Sequence, residues 1–293
     1  MLLLTGATGL VGSALLPRLL VEGAEVRCLV RDPRRLGAQR VRVQIALGDL
    51  TDPSSFRNAL RGVQTVVHLA ASIRDQPRGS IEELNGIATW RMVEAAERQG
   101  VERFVFFSAL GASTHHRTRC LRAKALAERA VREADLRSIV FAPSIVYAPG
   151  DPWLTLLARL ALLPLMPVSG RGRALFQPIW AEDVANCVLA ALRTEGGEPH
   201  RRHELAGPET LSHDEMVRTL LRSLGRRRPL LHVPTPIVSR GLRALERLAG
   251  PAAFATWDEA ELMEVAMTSA RGSADAERLG VSPQRMAAVL SPA

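Results

Sequence analysis

Short apolar runs alternate with longer segments of helical periodicity through the first half of the chain. The apolar runs predict six strands, at residues 2–4, 25–30, 42–46, 65–69, 103–107 and 137–141. The segments between them predict four helices, at residues 10–21, 54–60, 81–99 and 121–133. Because strands that alternate with helices form parallel sheets, the pattern predicts an α/β fold, a doubly wound parallel sheet of the Rossmann type.

The regular alternation ends after Pro143. Proline, glycine and arginine become frequent there, which is typical of a less regular structure. We therefore expect a Rossmann domain over residues 1–150. A smaller, mixed substrate or partner lobe is expected over residues 151–293, interleaved with the first domain through the segment 177–190.

Composition narrows the class of protein. The 293 residues are 47% hydrophobic and 23% charged, which is typical of a folded globular chain. The net charge is +8, but aromatic residues make up only 4% and the arginines are scattered, so no nucleic-acid partner is expected. Three well-separated cysteines, Cys28, Cys120 and Cys187, exclude a disulfide scaffold or a zinc ribbon. His200 and His203 have the spacing of metal ligands but lack further partners, so no metal site is expected.

Hydrophobicity along the chain bears on its location in the cell. The longest apolar stretch, residues 153–168, is interrupted by Arg159, Pro164 and Pro167 and falls short of the roughly 18 residues that span a bilayer. The chain begins with an apolar run and glycines, with neither a basic stretch nor a cleavage signal before them. We therefore expect a cytoplasmic location.

Residues 236–249 have the pattern of a basic amphipathic helix. One face carries Val238, Leu242, Leu245 and Ala249, and the other carries Arg240, Arg243 and Arg247. Such a helix packs its apolar side on its own domain, or it lies on an anionic membrane or a partner. A position peripheral to the inner face of a membrane is therefore an open alternative.

A glycine-rich motif follows the first predicted strand and opens the first predicted helix. It reads Thr5-Gly6-Ala7-Thr8-Gly9-Leu10-Val11-Gly12. In this position Gly6 permits a tight turn, Gly9 lets backbone N–H groups approach a pyrophosphate, and Gly12 lets the helix pack close to the strand. The motif predicts a dinucleotide site at the N-terminus of the first helix.

Cofactor selectivity is expected just past the second predicted strand, where NAD-binding proteins usually carry a carboxylate for the ribose 2′-hydroxyl. Here Asp32 precedes Pro33, which is typical of a helix N-cap whose carboxylate is occupied by backbone N–H groups. Arg31, with Arg34 or Arg35, is then free to hold a 2′-phosphate. We therefore predict NADP(H) as the cofactor, in preference to NAD(H).

Two further strand ends supply predicted cofactor contacts. Asp49 and Leu50 follow the third strand, where the carboxylate would lie near an adenine amino group; capping the next helix is the alternative for Asp49. Ala70 and Ala71 follow the fourth strand and present small side chains where a dinucleotide lies close to backbone. His68, which precedes them, is expected to be a hydrogen-bonded core residue.

Together these motifs resemble the extended or atypical short-chain dehydrogenases/reductases over nearly the whole chain. Besides the glycine motif, the resemblance rests on Gly48-Asp49-Leu50, Leu69-Ala70-Ala71, Asn85 and residues 104–108, 143–147 and 177–185. The chain is most similar to the branch that contains the NADPH-binding accessory subunit of respiratory complex I and its bacterial relatives, on residues 108–112, 121–124, 205–209 and 279–283. The resemblance implies that Pro143 and Ser144 contact the cofactor and that a respiratory complex is a candidate partner.

Enzymes of this family carry Tyr-x-x-x-Lys on the helix after the fifth strand, and a Ser or Thr at the end of that strand. Residues four apart lie on one face of a helix, so the ammonium lowers the pKa of the phenol and makes it a usable acid or base. Here the helix reads Cys120-Leu121-Arg122-Ala123-Lys124, so the tyrosine is missing. The resemblance implies that Lys124, the only lysine in the chain, holds the nicotinamide ribose. Ser108 keeps the position from which a hydroxyl polarises a carbonyl; capping a turn at the strand end is the alternative.

Two side chains are candidates to replace the missing phenol. Cys120 lies near the ammonium, which pulls down the pKa of a thiol, but its reach is shorter than that of a phenol; the alternative is a small buried residue. Tyr147, the only tyrosine, either approaches the nicotinamide or packs beneath the second lobe. We therefore expect an NADP(H)-binding protein with little conventional turnover, whose cofactor serves structure, assembly or redox sensing. The alternative is an active reductase or epimerase-like enzyme that acts on a small carbonyl substrate.

Overall fold

The central sheet of the protein is parallel, as predicted, in a computed structural model that describes residues 1–194, 198–249 and 255–291. The strands in these ranges are β1 (Leu2–Thr5), β2 (Val26–Val30), β3 (Gln44–Leu47), β4 (Thr65–His68), β5 (Arg103–Phe107), β6 (Arg137–Pro143), β7 (Val146–Tyr147), β8 (Met166–Ser169), β9 (Leu175–Phe176), β10 (Ile179–Trp180), β11 (His200–Leu205), β12 (Leu211–Ser212) and β13 (Leu230–Val233). Seven of them form one sheet in the order β11-β6-β5-β4-β1-β2-β3. This order reverses beside β1, which is where doubly wound sheets bind their ligands.

Helices cover both faces of this sheet and build much of the second lobe. They are α1 (Leu10–Val21), α2 (Pro53–Phe56), α3 (Ala88–Arg98), α4 (Arg119–Glu133), α5 (Pro152–Leu160), α6 (Ala181–Arg193), α7 (His213–Ser223), α8 (Thr235–Ala249), α9 (Trp257–Leu262), α10 (Ala274–Arg278) and α11 (Met286–Leu290). In the described ranges, none of the helices combines the length and the apolar character needed to cross a bilayer.

Two apolar clusters hold the helices on the sheet. On one face α1 packs along α6, and Leu4, Leu15 and Val188 are fully buried between them and the strands. On the other face α3 and α4 cover the strands over a second cluster that contains Met92 and Phe104. Because both faces are covered, the central strands read as apolar runs, which is why they could be predicted. The edge strand β11 is mostly polar and was not predicted.

The second lobe has its own core, built on three short strand pairs. These are β7 with β10, β8 with β13, and β9 with β12. Tyr147, Phe176 and Met216 are fully buried in this core. Two elements from beyond residue 150 nevertheless belong to the Rossmann layers, because α6 packs on α1 and β11 pairs with β6. Residues of the Rossmann layers therefore extend along the chain to Leu205.

The strand predicted at 42–46 begins and ends later in the sequence than predicted. The observed β3 begins at Gln44, because Pro33–Val41 forms a 3-10 segment that ends on Arg42. Leu36 is the one buried residue of this segment, so no apolar periodicity marked it.

Two predicted helices are less regular than their periodicity indicated. The helix predicted at 54–60 is the single turn of α2 followed by a 3-10 turn at Arg57–Leu60. The helix predicted at 81–99 contains a π-helical turn at Glu83–Ile87 before α3. Within this turn the side-chain amide of Asn85 donates to the carbonyl oxygen of Ile81, four residues earlier, at 2.8 Å. A side chain that competes for that carbonyl explains the local widening of the helix.

Candidate functional site

The glycine loop between β1 and α1 lies tightly against the segment that follows β4. Gly6 has a φ of +71°, and a Cβ there would lie 2.6 Å from the backbone N of Ala70. A Cβ on Gly12 would lie 2.1 Å from the carbonyl oxygen of Gly6. Any side chain at either position would therefore displace backbone. Gly9 is the N-cap of α1 and no side chain caps this end of the helix, which suits the binding of an anion.

A cleft of about 500 Å³ extends from this loop across the carboxyl ends of β1, β2, β3 and β4. Its volume lies in the usual range for small-molecule sites. Nine predicted cofactor contacts line it together: Gly6, Thr8, Gly9, Arg31, Arg35, Asp49, Leu50, Ala70 and Ala71. The fold thus brings the ends of four strands into one site, which is the arrangement that the motifs indicated separately.

Several predicted contacts do not line this cleft, namely Leu10, Val11, Gly12, Arg34, Lys124, Pro143 and Ser144. Conversely, sequence reasoning missed Ser72, Gln76 and Leu84, which do line it. The segment after Ala71 is positioned by Asn85, whose side-chain oxygen accepts the backbone N–H of Ser72 at 3.1 Å. This contact joins residues that are distant in sequence, so no local pattern reveals that the segment borders the cleft.

Asp32 is the N-cap that its position before Pro33 predicted. Its carboxylate accepts the backbone N–H of Arg34 at 3.0 Å, at the start of the 3-10 segment. Arg31 and Arg35 lie beside it on the cleft wall, and in the described part of the chain neither of them forms an ion pair. Positive charge therefore faces this end of the cleft while part of the neighbouring carboxylate's hydrogen-bonding capacity is used by backbone.

Asp49 keeps one carboxylate oxygen without a hydrogen-bond donor. Its Oδ1 accepts the backbone N–H and the hydroxyl of Thr51, at 3.1 and 2.9 Å. Its Oδ2 is buried and has no hydrogen-bond partner, although an Arg78 nitrogen lies 3.8 Å away. The alternative that Asp49 caps the next helix is wrong, because Asp52 caps α2 by accepting the backbone N–H of Ser54. An unpartnered acceptor on the cleft wall fits an amino group of a ligand.

The ammonium of Lys124 is buried at the end of β5. It donates to the carbonyl oxygen of Phe107 at 2.5 Å and lies 5.0 Å from the centroid of the Phe106 ring. No carboxylate pairs with it within the described ranges. Burial lowers the pKa of Lys124 to about 8, because an ammonium removed from water loses its hydration. The nearby imidazole of His68 stays neutral: burial, and secondarily Lys124, lower its pKa to about 3.

His68 has the core role that its sequence context predicted. Its Nδ1 forms a hydrogen bond with the hydroxyl of Thr5 at 2.9 Å, and its Nε2 with the hydroxyl of Thr89 at 3.1 Å. Both ring nitrogens are therefore partnered inside the sheet-helix interface.

Ser108 directly follows β5 and also carries an unused polar atom. Its backbone N–H donates to the carbonyl of Phe141 at 2.8 Å, which fixes the main chain. Its hydroxyl is buried and has no hydrogen-bond partner. A buried hydroxyl without a partner is unfavourable unless a ligand or water completes it, so its position fits a polar contact with a bound group.

Cys120 lies one helical turn before Lys124 on α4. Burial raises the pKa of its thiol, and the opposing effect of the Lys124 ammonium is smaller. The thiol is therefore protonated and weakly acidic near neutral pH, which makes it a poor proton donor or acceptor.

Tyr147 lies in the core of the second lobe, away from the lining of the cleft. Its ring is fully buried and its hydroxyl has no hydrogen-bond partner. Burial, together with the negative charges of Asp183 and Glu209, raises the pKa of the phenol well above its ordinary value. Tyr147 was expected either to approach the nicotinamide or to pack beneath the second lobe, and in the structure it packs in the second lobe.

Ser144 connects the two units. Its hydroxyl donates to the carbonyl of Met267 at 2.6 Å and accepts the backbone N–H of Gln177 at 3.0 Å. Both roles of the hydroxyl are occupied within the protein. Pro143, which ends β6, is buried and its carbonyl accepts the backbone N–H of Leu110.

The strand order, the glycine loop and the cleft together define a Rossmann-type dinucleotide-binding protein. The profile of the family described as NAD(P)H-binding matches residues 6–157, and the chain belongs to this family. The family match confirms the predicted kind of protein and a nicotinamide dinucleotide as its ligand.

Individual relatives agree with this family and with the predicted resemblance. The chain is 29% identical over 243 residues to NADH dehydrogenase (ubiquinone) 1 alpha subcomplex subunit 9, mitochondrial, of Arabidopsis thaliana, covering 79% of this chain and 60% of that protein. It is 31% identical over 193 residues to the ceramide reductase of Caulobacter vibrioides, covering 65% of this chain and 60% of that protein. The chain thus spans 60% of the length of each of these two relatives.

A solved structure shows the same fold over the full length. A nucleoside-diphosphate-sugar epimerase from Staphylococcus aureus superposes with a TM-score of 0.77 at 19% identity, covering 99% of each chain. At this identity the similarity establishes the fold alone.

Proposed function

We propose that the protein binds NADP(H) in the cleft, in preference to NAD(H), and that it turns over carbonyl substrates slowly or not at all. The cofactor would then serve structure, assembly or redox sensing. The observation that carries this proposal is the half-buried thiol of Cys120, which occupies the helical position one turn before Lys124.

The residues present fit a dinucleotide. The N-terminus of α1, capped by Gly9 without a side chain, suits the pyrophosphate. The unpartnered Oδ2 of Asp49 would accept an adenine amino group. Arg31 and Arg35 would hold a 2′-phosphate by charge-assisted hydrogen bonds, and this contact is the basis of the preference for NADP(H).

Lys124 and Ser108 are proposed to act on the nicotinamide side of the site. An ammonium has three N–H donors. Within the described ranges, that of Lys124 donates to one protein acceptor, the carbonyl of Phe107. A ribose hydroxyl would use a remaining donor. The unpartnered hydroxyl of Ser108 would orient a carbonyl group.

Proton transfer is the step that this chain supports poorly. A bound nicotinamide supplies hydride, and the substrate oxygen then needs a proton from a group within about 3.2 Å. The Cys120 thiol is short and weakly acidic, and the Tyr147 hydroxyl is fully buried in the other lobe. General acid catalysis contributes roughly 10²- to 10⁴-fold to rates, so its loss is expected to leave slow turnover.

The direct test is the identity of the nucleotide that copurifies with the protein, followed by titration of the nucleotide-free protein with NADPH and NADH. We expect NADPH to be retained and to bind more tightly. A protein that binds neither nucleotide, or that binds NADH more tightly, would refute the proposal.

An active reductase is the second candidate. Its support is the pair of unpartnered hydroxyls on Ser108 and Tyr147, and the similarity to a protein named ceramide reductase. In that case a water molecule or a rearranged Tyr147 would supply the proton. Rapid oxidation of NADPH by an added ketone or aldehyde would favour this candidate over the first.

The cellular setting is also part of the proposal. One relative is named as a subunit of mitochondrial NADH dehydrogenase, which favours a protein that works in contact with a larger assembly. We place this chain on the cytoplasmic side, either free or at the inner face of a membrane. Fractionation of cells into cytosol and membranes would separate the two locations.

A further inference from the structure

Four exposed leucines lie together on the second lobe, outside the cleft. The turn between α5 and β8 exposes Leu162, Leu163 and Leu165 by 64%, 47% and 43% of their surface, and Leu231 on β13 is 47% exposed. β13 pairs with β8 so that Leu231 lies opposite Pro167. Since Leu165 is two positions before Pro167, and side chains alternate along an extended segment, Leu165 and Leu231 face the same side. We call these four residues the leucine patch.

The backbone of the patch is fixed by hydrogen bonds. The N–H groups of Leu162 and Leu163 donate to the carbonyls of Arg159 and Leu160, at 3.1 and 3.0 Å. The N–H of Met166 donates to the carbonyl of Pro229 at 2.9 Å, which ties the turn to the neighbouring segment. The leucines are therefore held outward by an ordered turn, although burying them in the protein would have been favourable.

Arginines surround the patch without acidic partners. Arg159, Arg227 and Arg228 are exposed, and none of the three forms an ion pair with a residue in the described ranges. The Nε of Arg228 donates to the carbonyl of Ala161 at 3.3 Å, which places this side chain at the base of the turn. The two segments that build the region, residues 153–173 and 216–233, contain no Asp or Glu. The surface therefore combines exposed aliphatic side chains with uncompensated positive charge.

The amphipathic helix predicted at 236–249 does not supply this surface. It forms most of α8, whose half-buried Val238, Leu242 and Leu245 contrast with the exposed Arg240. α8 packs against α9, and the Arg243 guanidinium lies 4.3 Å from the Trp257 ring centroid. The helix therefore packs within its own lobe, the first of the two alternatives; the side chain of Ala249 lies outside the described part of the chain.

We propose that the leucine patch docks this protein on the surface of an anionic lipid bilayer. The leucines enter the boundary between headgroups and acyl chains, and the arginines pair with lipid phosphates. Charge complementarity selects this occupant, because Arg159, Arg227 and Arg228 carry positive charge that no carboxylate in the described ranges pairs with. The nearby carboxylate of Asp214 is already paired with Arg218 and His232. A protein partner is the less suitable occupant, since the energetic centres of protein interfaces are typically aromatic and the patch is aliphatic. The docking is independent of the cofactor proposal, because none of these residues lines the cleft.

The test is flotation of the full-length protein with vesicles of phosphatidylcholine alone and of phosphatidylcholine with 30% phosphatidylglycerol. We expect flotation with the anionic vesicles at low salt and its loss at high salt, because lipid charge is screened. Leu163→Asp should weaken binding by about tenfold or more, since it replaces an inserted apolar side chain by a charge. The double variant Arg227→Gln, Arg228→Gln should weaken vesicle binding by about 25-fold, because each arginine near an anionic membrane contributes roughly fivefold to the affinity.

Leu126→Asp is the matched control. Leu126 on α4 is a leucine with the same 47% exposure as Leu163 but lies outside the patch. Its replacement should leave flotation unchanged, and NADPH titration would verify that each variant folds. Absence of wild-type flotation at low salt, or equal loss in both leucine variants, would overturn the proposal. So would a concentration-dependent dimer that Leu163→Asp disrupts without any vesicle binding, because the patch would then join two copies of the chain.

Discussion

The Cys120 thiol and the Lys124 ammonium lie one turn apart on α4. The ammonium favours the thiolate, but burial of the thiol opposes it more strongly, so the pKa of Cys120 is raised. Short-chain dehydrogenases/reductases use this pair of helical positions for a phenol and a lysine. The same geometry is retained here with a side chain that is shorter and holds its proton.

Replacement of the thiol tests whether Cys120 donates protons. We expect Cys120→Ser to leave NADPH affinity and any slow NADPH oxidation within about twofold of the wild-type values, because a protonated, buried thiol contributes little acid catalysis. Single-turnover absorbance measurements at 340 nm would check this. A tenfold or larger fall in the oxidation rate would instead assign Cys120 a catalytic role.

Replacement of the lysine tests whether its ammonium holds the cofactor. We expect Lys124→Met to weaken NADPH binding by about tenfold or more, since a charge-assisted hydrogen bond is lost. The pKa of Lys124 is about 8, so wild-type affinity should fall as the pH rises through 8, while the affinity of the variant stays flat. Calorimetric titration between pH 6.5 and 9.5 measures both. Equal pH profiles would remove Lys124 from the site.

The same lysine has a defined effect on stability. Its pKa is lower in the folded protein than the ordinary 10.5, so the unfolded chain binds more protons between pH 8 and 10.5. The free energy of unfolding of the nucleotide-free wild type, relative to Lys124→Met, should therefore increase as the pH rises through this window. Urea denaturation at pH 7.5 and 10 checks the sign, and a relative decrease would show that burial does not disfavour the ammonium.

Cofactor selectivity is expected to depend on Arg31 and Arg35. Removing either charge-assisted contact should weaken NADPH binding by about tenfold or more and change NADH binding little, because NADH lacks the 2′-phosphate. Arg34→Ala is the matched control, since Arg34 is exposed on the same segment but does not line the cleft. Fluorescence titrations of Arg31→Ala, Arg35→Ala and the control would measure this. Equal losses for both nucleotides would contradict the proposed 2′-phosphate site.

Asp49 and Asp52 have different hydrogen-bond partners, so mutations of the two residues should have different effects on nucleotide binding and stability. We expect Asp49→Asn to weaken NADPH and NADH binding alike, by roughly tenfold, because the adenine is common to both. Asp52→Ala should lower the melting temperature through loss of the α2 cap and leave nucleotide affinity unchanged. Thermal unfolding and titration of both variants provide the comparison. An unchanged affinity in Asp49→Asn would mean that its free oxygen does not contact the nucleotide.

The parts of the candidate site that could be predicted from the sequence are those formed by residues at the end of a single strand. The glycine loop, the Asp32 cap and the small residues after β4 could all be predicted, because each depends on backbone geometry within a few residues. Six of the seven strands of the sheet were located because they contain apolar runs. The edge strand β11 was not predicted, because it is mostly polar.

Features that depend on contacts distant in sequence could not be predicted. Gln76 borders the cleft in a segment that Asn85 positions, and Tyr147 lies in the second core because later strands pair around it. The hydroxyl of Ser144 is engaged by Gln177 and Met267, which lie far along the chain. The amphipathic pattern at 236–249 left a membrane or partner surface on α8 open, but the pattern does not reveal that α8 packs on α9.

We propose that the protein keeps a dinucleotide site but lacks a proton donor beside it, and one measurement tests this most directly. The protein is loaded with one equivalent of NADPH, and the absorbance at 340 nm is followed after addition of aldehydes and ketones. We expect NADPH to stay bound. Its oxidation should be at least about 10²-fold slower than a typical enzyme turnover of roughly 10 s⁻¹. Failure to retain NADPH, or its oxidation within a second by one of these compounds, would contradict the claim.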